Sequence, residues 1–143
     1  MSDARFREEQ RFRQRWLWAI LGLTGLLTAV TTAGVGAVVV VAVALLFYRI
    51  RLTTEVREDG VYVQFEPFHR SPRHVPFEAI GAVETERVGL LTYGGLGIRF
   101  TPGTVAYLTT TGDAVRLVRP GRRTVVVGTA HPREFVDAID AAR

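Results

Sequence analysis

The residues of this sequence with chemical potential are glycines and arginines set in short, turn-like stretches. "YGGLGIRF", Tyr93 to Phe100, gathers Gly94, Gly95 and Gly97, and the bare N–H groups of a glycine-rich turn can cradle a phosphate. Neither familiar nucleotide fingerprint is met. A dinucleotide site needs G-x-G-x-x-G opening a helix, and a P-loop ends in Gly-Lys-Ser/Thr. Here the glycines run into a strand-like segment, and the chain contains no lysine. Glycines in strand surroundings mark a bulge, a sharp bend or a close backbone approach. Gly94, Gly95 and Gly97 are therefore expected to be structural, with a loop that receives a peptide or headgroup as the alternative.

Two arginine clusters stand apart. "HRSPRH" puts Arg70 and Arg73 in one loop, and "RPGRR" puts Arg119, Arg122 and Arg123 around one turn. A guanidinium is a permanent, planar, fork-shaped cation, and near anionic lipid each contributes about 1 kcal/mol. These five arginines are the candidate lipid or partner contacts; arginines solvated on ordinary turns are the plainer alternative. The turn at Arg57-Glu58-Asp59-Gly60 carries two acids, which oppose phosphate binding there. No aromatic-basic platform for nucleic acid is evident.

Catalytic constellations are poorly represented. Glu84 and Glu86 alternate on a strand and share a face, as a general acid and its partner do, although a solvated strand face explains them as well. His69, His74 and Glu66 lack a recognised metal-ligand spacing. Ser2 and Ser71 are the only serines, and neither sits in a nucleophile elbow. Cysteine is absent, which removes disulfides and thiolate metal sites. No catalytic residue, metal or cofactor is expected, and the chain is not expected to be an enzyme.

The elements that position these residues fall into three stretches: 1–15, 16–48 and 49–143. From Trp16 to Tyr48 no residue is charged. One straight helix of that run would be about 50 Å long, against a bilayer core of about 30 Å. The run breaks at "TTAGVG", so a transmembrane helical hairpin with its turn near 31–36 is expected. Each leg has about 16 or 17 residues, the short limit of a span, so a single tilted span is the alternative; a cleaved signal peptide competes for the first leg. Trp16, Trp18, Phe47 and Tyr48 would share one interface. The flanking Arg5, Arg7, Arg11, Arg13, Arg15, Arg49 and Arg51 place 1–15 as a basic cytoplasmic segment. The expectation is a multi-pass cell-membrane protein with both termini cytoplasmic and the lipid bilayer as a partner.

Residues 49–143 form an expected cytoplasmic, mainly β (α+β) domain. "EVREDGVYVQFEP" alternates about Asp59-Gly60 as a hairpin does, "TVAYLTTTGDAVRLVRPGRRTVVVGT" supplies three more strands, and an amphipathic helix over 131–142 ends the chain. The pieces "VPFEAI", "YGGLGIR", "AY" (Ala106, Tyr107) and "GRRTVVVGTAHPREFVDAI" resemble the bacterial PH-like (pleckstrin-homology-like) domains, and among them prokaryotic membrane proteins of uncharacterised role with two N-terminal spans. The likeness covers essentially the whole chain. It implies a PH-like barrel closed by one C-terminal helix and tethered by a transmembrane hairpin, with no established catalytic residues to carry over. Arg119-Pro120-Gly121 departs from the plainer Asp-Gly or Asn-Gly turn. The expected function is a membrane-anchored, non-enzymatic interaction or scaffold module for an unidentified protein partner or for itself. Binding of anionic lipid headgroups through the arginine turns is the alternative.

Overall fold

The computed structural model describes residues 4–12 and 14–143, and its elements follow the hydrophobic periodicity segment by segment. Two units result. One combines the N-terminal strand with Arg51–Arg143; the other is Arg11–Ile50.

In the first unit, strand β1 (Phe6–Arg11) pairs beside β2 (Arg51–Arg57), which pairs with β3 (Gly60–Glu66), which pairs with β4 (Arg73–Pro76). Strict alternation sends Leu52, Thr54 and Val56 of β2 inward, opposite Phe65, Val63 and Val61 of β3. Gly60 starts β3 for a steric reason: a Cβ there would lie 2.4 Å from the carbonyl oxygen of Val75. A 3-10 turn, Phe77–Ala79, then carries the chain into a second sheet. Its strands are β5 (Ala82–Val88), β6 (Gly97–Thr101), β7 (Thr104–Leu108), β8 (Gly112–Val118) and β9 (Thr124–Gly128), in the order β5-β8-β9-β7-β6. β7 and β9 run parallel and are buried at every position, as their near-continuous apolar sequences require.

Helix α1 (Arg15–Thr31) and helix α2 (Val35–Arg49) make up the second unit, and helix α3 (Pro132–Ala142) closes the first. α3 opens on Pro132, whose missing N–H is no loss in a first turn. It buries Phe135 and Ile139 against β2, β3 and β8, and Phe135 meets the Phe6 ring edge-on at 5.2 Å. The N-terminal segment, read above as a basic flank, thus contributes an edge strand to the first sheet. Glu8 accepts hydrogen bonds from the Thr129 hydroxyl and from the Ala130 N–H at 2.8 Å, and Thr109 donates to Gln10 at 2.8 Å.

Two expectations need correction. The strands do not close into a barrel: among the described residues no ladder joins the two sheets, because the 3-10 turn at Phe77–Ala79 separates β4 from β5 where a pairing would have to continue. Nor is there a transmembrane hairpin. No helix among the described residues is long and apolar enough to cross a membrane. α1 has 17 residues and α2 has 15, so they are about 25 Å and 22 Å long at ~1.5 Å per residue, short of the ~30 Å hydrocarbon core. Ala33 (φ 53°) and Gly34 (φ 91°) turn the chain between them, dividing the charge-free run into legs too short to span. The multi-pass cell-membrane location with two cytoplasmic termini falls with the hairpin on which it rested.

Candidate functional site

Two features of the surface could act on other molecules, one in each unit. The first is the outer surface of α1 and α2. Leu23, Leu26, Leu27 and Val30 of α1 and Val35, Val38, Val39 and Leu45 of α2 are exposed, Val30 at 78% and Val38 at 70%. Neither helix buries any residue fully. The interior of this unit is made where Gly25 approaches Val40, close enough that a Cβ on Gly25 would stand 3.3 Å from the valine methyl. Phe12 packs edge-on against Phe47 with ring centroids 5.6 Å apart.

The second feature is a cleft of about 350 Å³ in the two-sheet unit. Val63 of β3 and Val75 of β4 line it from one sheet, and Val105 of β7 and Val125 of β9 from the other. Its polar lining includes Arg73, His74, Tyr107 and Arg119, and no carboxylate. Arg73 is the first residue of β4. Arg119 follows β8 and is held by a hydrogen bond from its Nε to the carbonyl oxygen of Arg123, at 2.7 Å. Burial, reinforced by the neighbouring Arg122 charge, lowers the Arg119 pKa. Burial raises that of the Tyr107 hydroxyl, while the charges of Arg73 and Arg119 both pull it the other way. Both guanidiniums therefore lie within electrostatic reach of one hydroxyl. His69 meets the Tyr107 ring edge-on at 5.6 Å. Burial and, secondarily, Arg73 lower its pKa, and its Nδ1 accepts the Phe65 N–H at 3.3 Å.

The five arginines singled out in the sequence therefore separate. Arg73 and Arg119 meet at the cleft. Arg123 lies over the Phe100 ring at 5.7 Å, and Arg122 lines a shallower depression with Pro76, Glu78, Ala79 and Pro120. Arg70 is exposed on its loop. Tyr107 and the four valines were absent from the candidate set. The signal for them was present in the valine-rich strands that each arginine loop borders.

The glycine loop is anchored by Tyr93 and Leu96, while Gly94 and Gly97 border open space. Gly94, Gly95 and Gly97 have φ of 81°, 128° and 97°. Tyr93 and Leu96 fold onto the cluster of Val88, Ala106, Leu108, Ala114 and Val126. Arg99 donates to the Leu96 carbonyl at 2.8 Å, with its guanidinium where a Gly95 Cβ would come within 2.8 Å. Burial and a hydrogen bond to Glu86 raise the Tyr93 pKa to about 12, so Glu86 serves as an acceptor. Its neighbour in alternation, Glu84, faces Arg116 at 4.0 Å. At the first hairpin, Tyr62 donates to Asp59 at 2.6 Å and stacks on His74 at 4.4 Å. No group of three or more potential metal ligands occurs among the described residues. No protein-family model, curated protein or solved structure matches this chain.

Proposed function

We propose that this protein is a non-enzymatic association module whose helical hairpin packs against the hairpin of a second copy. The observation that carries the reading is the set of large apolar residues of α1 and α2 left exposed on the single chain, interrupted only by uncharged residues such as Thr24 and Thr31. A helix that is apolar all round is a buried helix, and contiguous exposed apolar surface marks an interaction site. No helix among the described residues is long and apolar enough to cross a membrane, and this reading assigns the cover to protein. The stretch from Trp16 to Tyr48 carries no charge and therefore asks for no complementary charge. The same surface on another copy satisfies it, in the self-complementary manner of a two-fold contact, and two antiparallel hairpins complete a four-helix bundle. Fully burying a leucine or valine contributes about 1.5–3 kcal/mol. Half a dozen of them stand on the scale of the ~4–15 kcal/mol that association costs. The likeness to bacterial PH-like modules stays within this proposal, supported by two sheets followed by a single C-terminal helix.

The test is co-expression of two differently tagged copies, purified without detergent. Each tag should recover the other, and Leu26→Arg with Val38→Arg should abolish the recovery while circular dichroism keeps its sheet signal. Recovery of one tag alone from the parent, or transfer of the parent to lipid vesicles in place of pairing, contradicts the proposal.

A further inference from the structure

The cleft between the sheets lies outside the hairpin, and its chemistry is different. Its floor is four valines, Val63, Val75, Val105 and Val125, and its volume falls at the small end of ligand pockets. At its rim stand two guanidiniums, Arg73 at the start of β4 and Arg119 just after β8. Among the described residues the Arg73 guanidinium has no hydrogen bond or ion pair, and the Arg119 guanidinium spends only its Nε, on the carbonyl of Arg123. The Tyr107 side chain is almost covered, at 8% exposure; its hydroxyl makes no hydrogen bond among the described residues, yet is not sealed from solvent, so it opens into the cleft it lines. Two free forks and a hydroxyl donor converging above an apolar floor, with no carboxylate to neutralise them, match a dianionic oxygen cluster joined to a hydrocarbon body.

We propose that this cleft binds a phosphate monoester carrying a short apolar chain, with Arg73, Arg119 and Tyr107 holding the phosphate oxygens and the valines covering the chain. Neither arginine forms an ion pair among the described residues, so neither positive charge is neutralised within the fold. His69, kept neutral by its surroundings, supports the Tyr107 ring and adds no competing charge.

The probe is octyl phosphate, used below its micelle concentration and titrated calorimetrically into the full chain, with inorganic phosphate and octanol as separate arms. Octyl phosphate is expected to bind at least tenfold more tightly than either. Arg73→Gln, at an exposed backbone-neutral position, and Arg119→Gln should each weaken it tenfold or more, whereas Arg70→Gln, off the cleft, should leave it unchanged. Because Arg119 also holds its own turn, Arg73→Gln decides if Arg119→Gln fails to fold. Absence of octyl phosphate binding overturns the proposal. So does equal affinity of parent and Arg73→Gln, which would place the alkyl chain on the exposed hairpin, and so does octanol binding as tightly as its phosphate. The hairpin's pairing is measured separately, so either result stands without the other.

Discussion

Val126 and Val38 are the same side chain in opposite situations. Val126 sits in β9 with no exposure; Val38 sits in α2 at 70%. The two-sheet unit covers most of its apolar residues itself, through two sheets and α3, with Phe68, Leu91 and Phe100 among the exceptions. In the hairpin, neither helix buries any residue fully. The difference shows that apolar content alone does not specify where the covering comes from. Alternation in β2 and β3 gives each residue an inward or outward assignment. The charge-free sequence of α1 and α2 gives none, and in the reading proposed above a second copy supplies the cover.

The largest effect that sharpens this contrast is at Phe135, fully buried on the inner face of α3. Phe135→Ala should destabilise the two-sheet unit by about 3–5 kcal/mol, read from its urea midpoint, while Val38→Ala should leave that midpoint in place. Equal losses would erase the distinction between the units. Next is Gly60→Ala, where the added methyl meets the Val75 carbonyl oxygen at a backbone angle that disfavours side chains; a loss of about 1–3 kcal/mol is expected. Gly94→Ala meets open space and suffers only from its φ of 81°, so about 1 kcal/mol is expected in the same assay. A nucleotide or inositol phosphate that stabilises the parent and not this variant would turn the loop from scaffold into ligand site.

The smallest effect is on pH dependence. The folded pKa of His69 lies below its ordinary value, through burial and Arg73. Above the unfolded pKa of about 6.5 both states are neutral and the contribution is whole. As pH falls through that value, the unfolded chain takes up a proton that the folded chain declines, and stability drops until the folded pKa is passed. The parent should therefore lose more stability than His69→Asn between about pH 7.5 and 5.5, measured by urea midpoints. Parallel curves would remove His69 from its half-buried place beside Tyr107.

Much of this architecture is legible in the sequence and some is not, for physical reasons. The β2–β3 hairpin announces itself through alternation and Asp59-Gly60, and α3 through Pro132 and the Phe135–Ile139 stripe. β1 hides because "FREEQR" carries four charged residues, and its pairing depends on β2, more than forty residues away in the chain. The neighbouring of β7 and β9 hides because β8 lies between them in sequence, whereas in the sheet they pair directly and β8 lies on the far side of β9. The turn of the hairpin is written in Thr31–Gly36, but composition could not say that helix ends at Thr31 and Val35 leave legs shorter than a span. The arginine clusters were visible as clusters. That Arg73 and Arg119 share a cleft, while Arg123 goes to Phe100, follows from sheet packing that no local pattern encodes.

The account rests most heavily on what covers α1 and α2. Sedimentation equilibrium of the full chain in detergent-free buffer, at micromolar concentration, measures it directly. The account predicts a mass of two chains that falls to one in the Leu26→Arg, Val38→Arg variant, with the two-sheet unit still folded. A parent that sediments as a single soluble chain across that concentration range would contradict it.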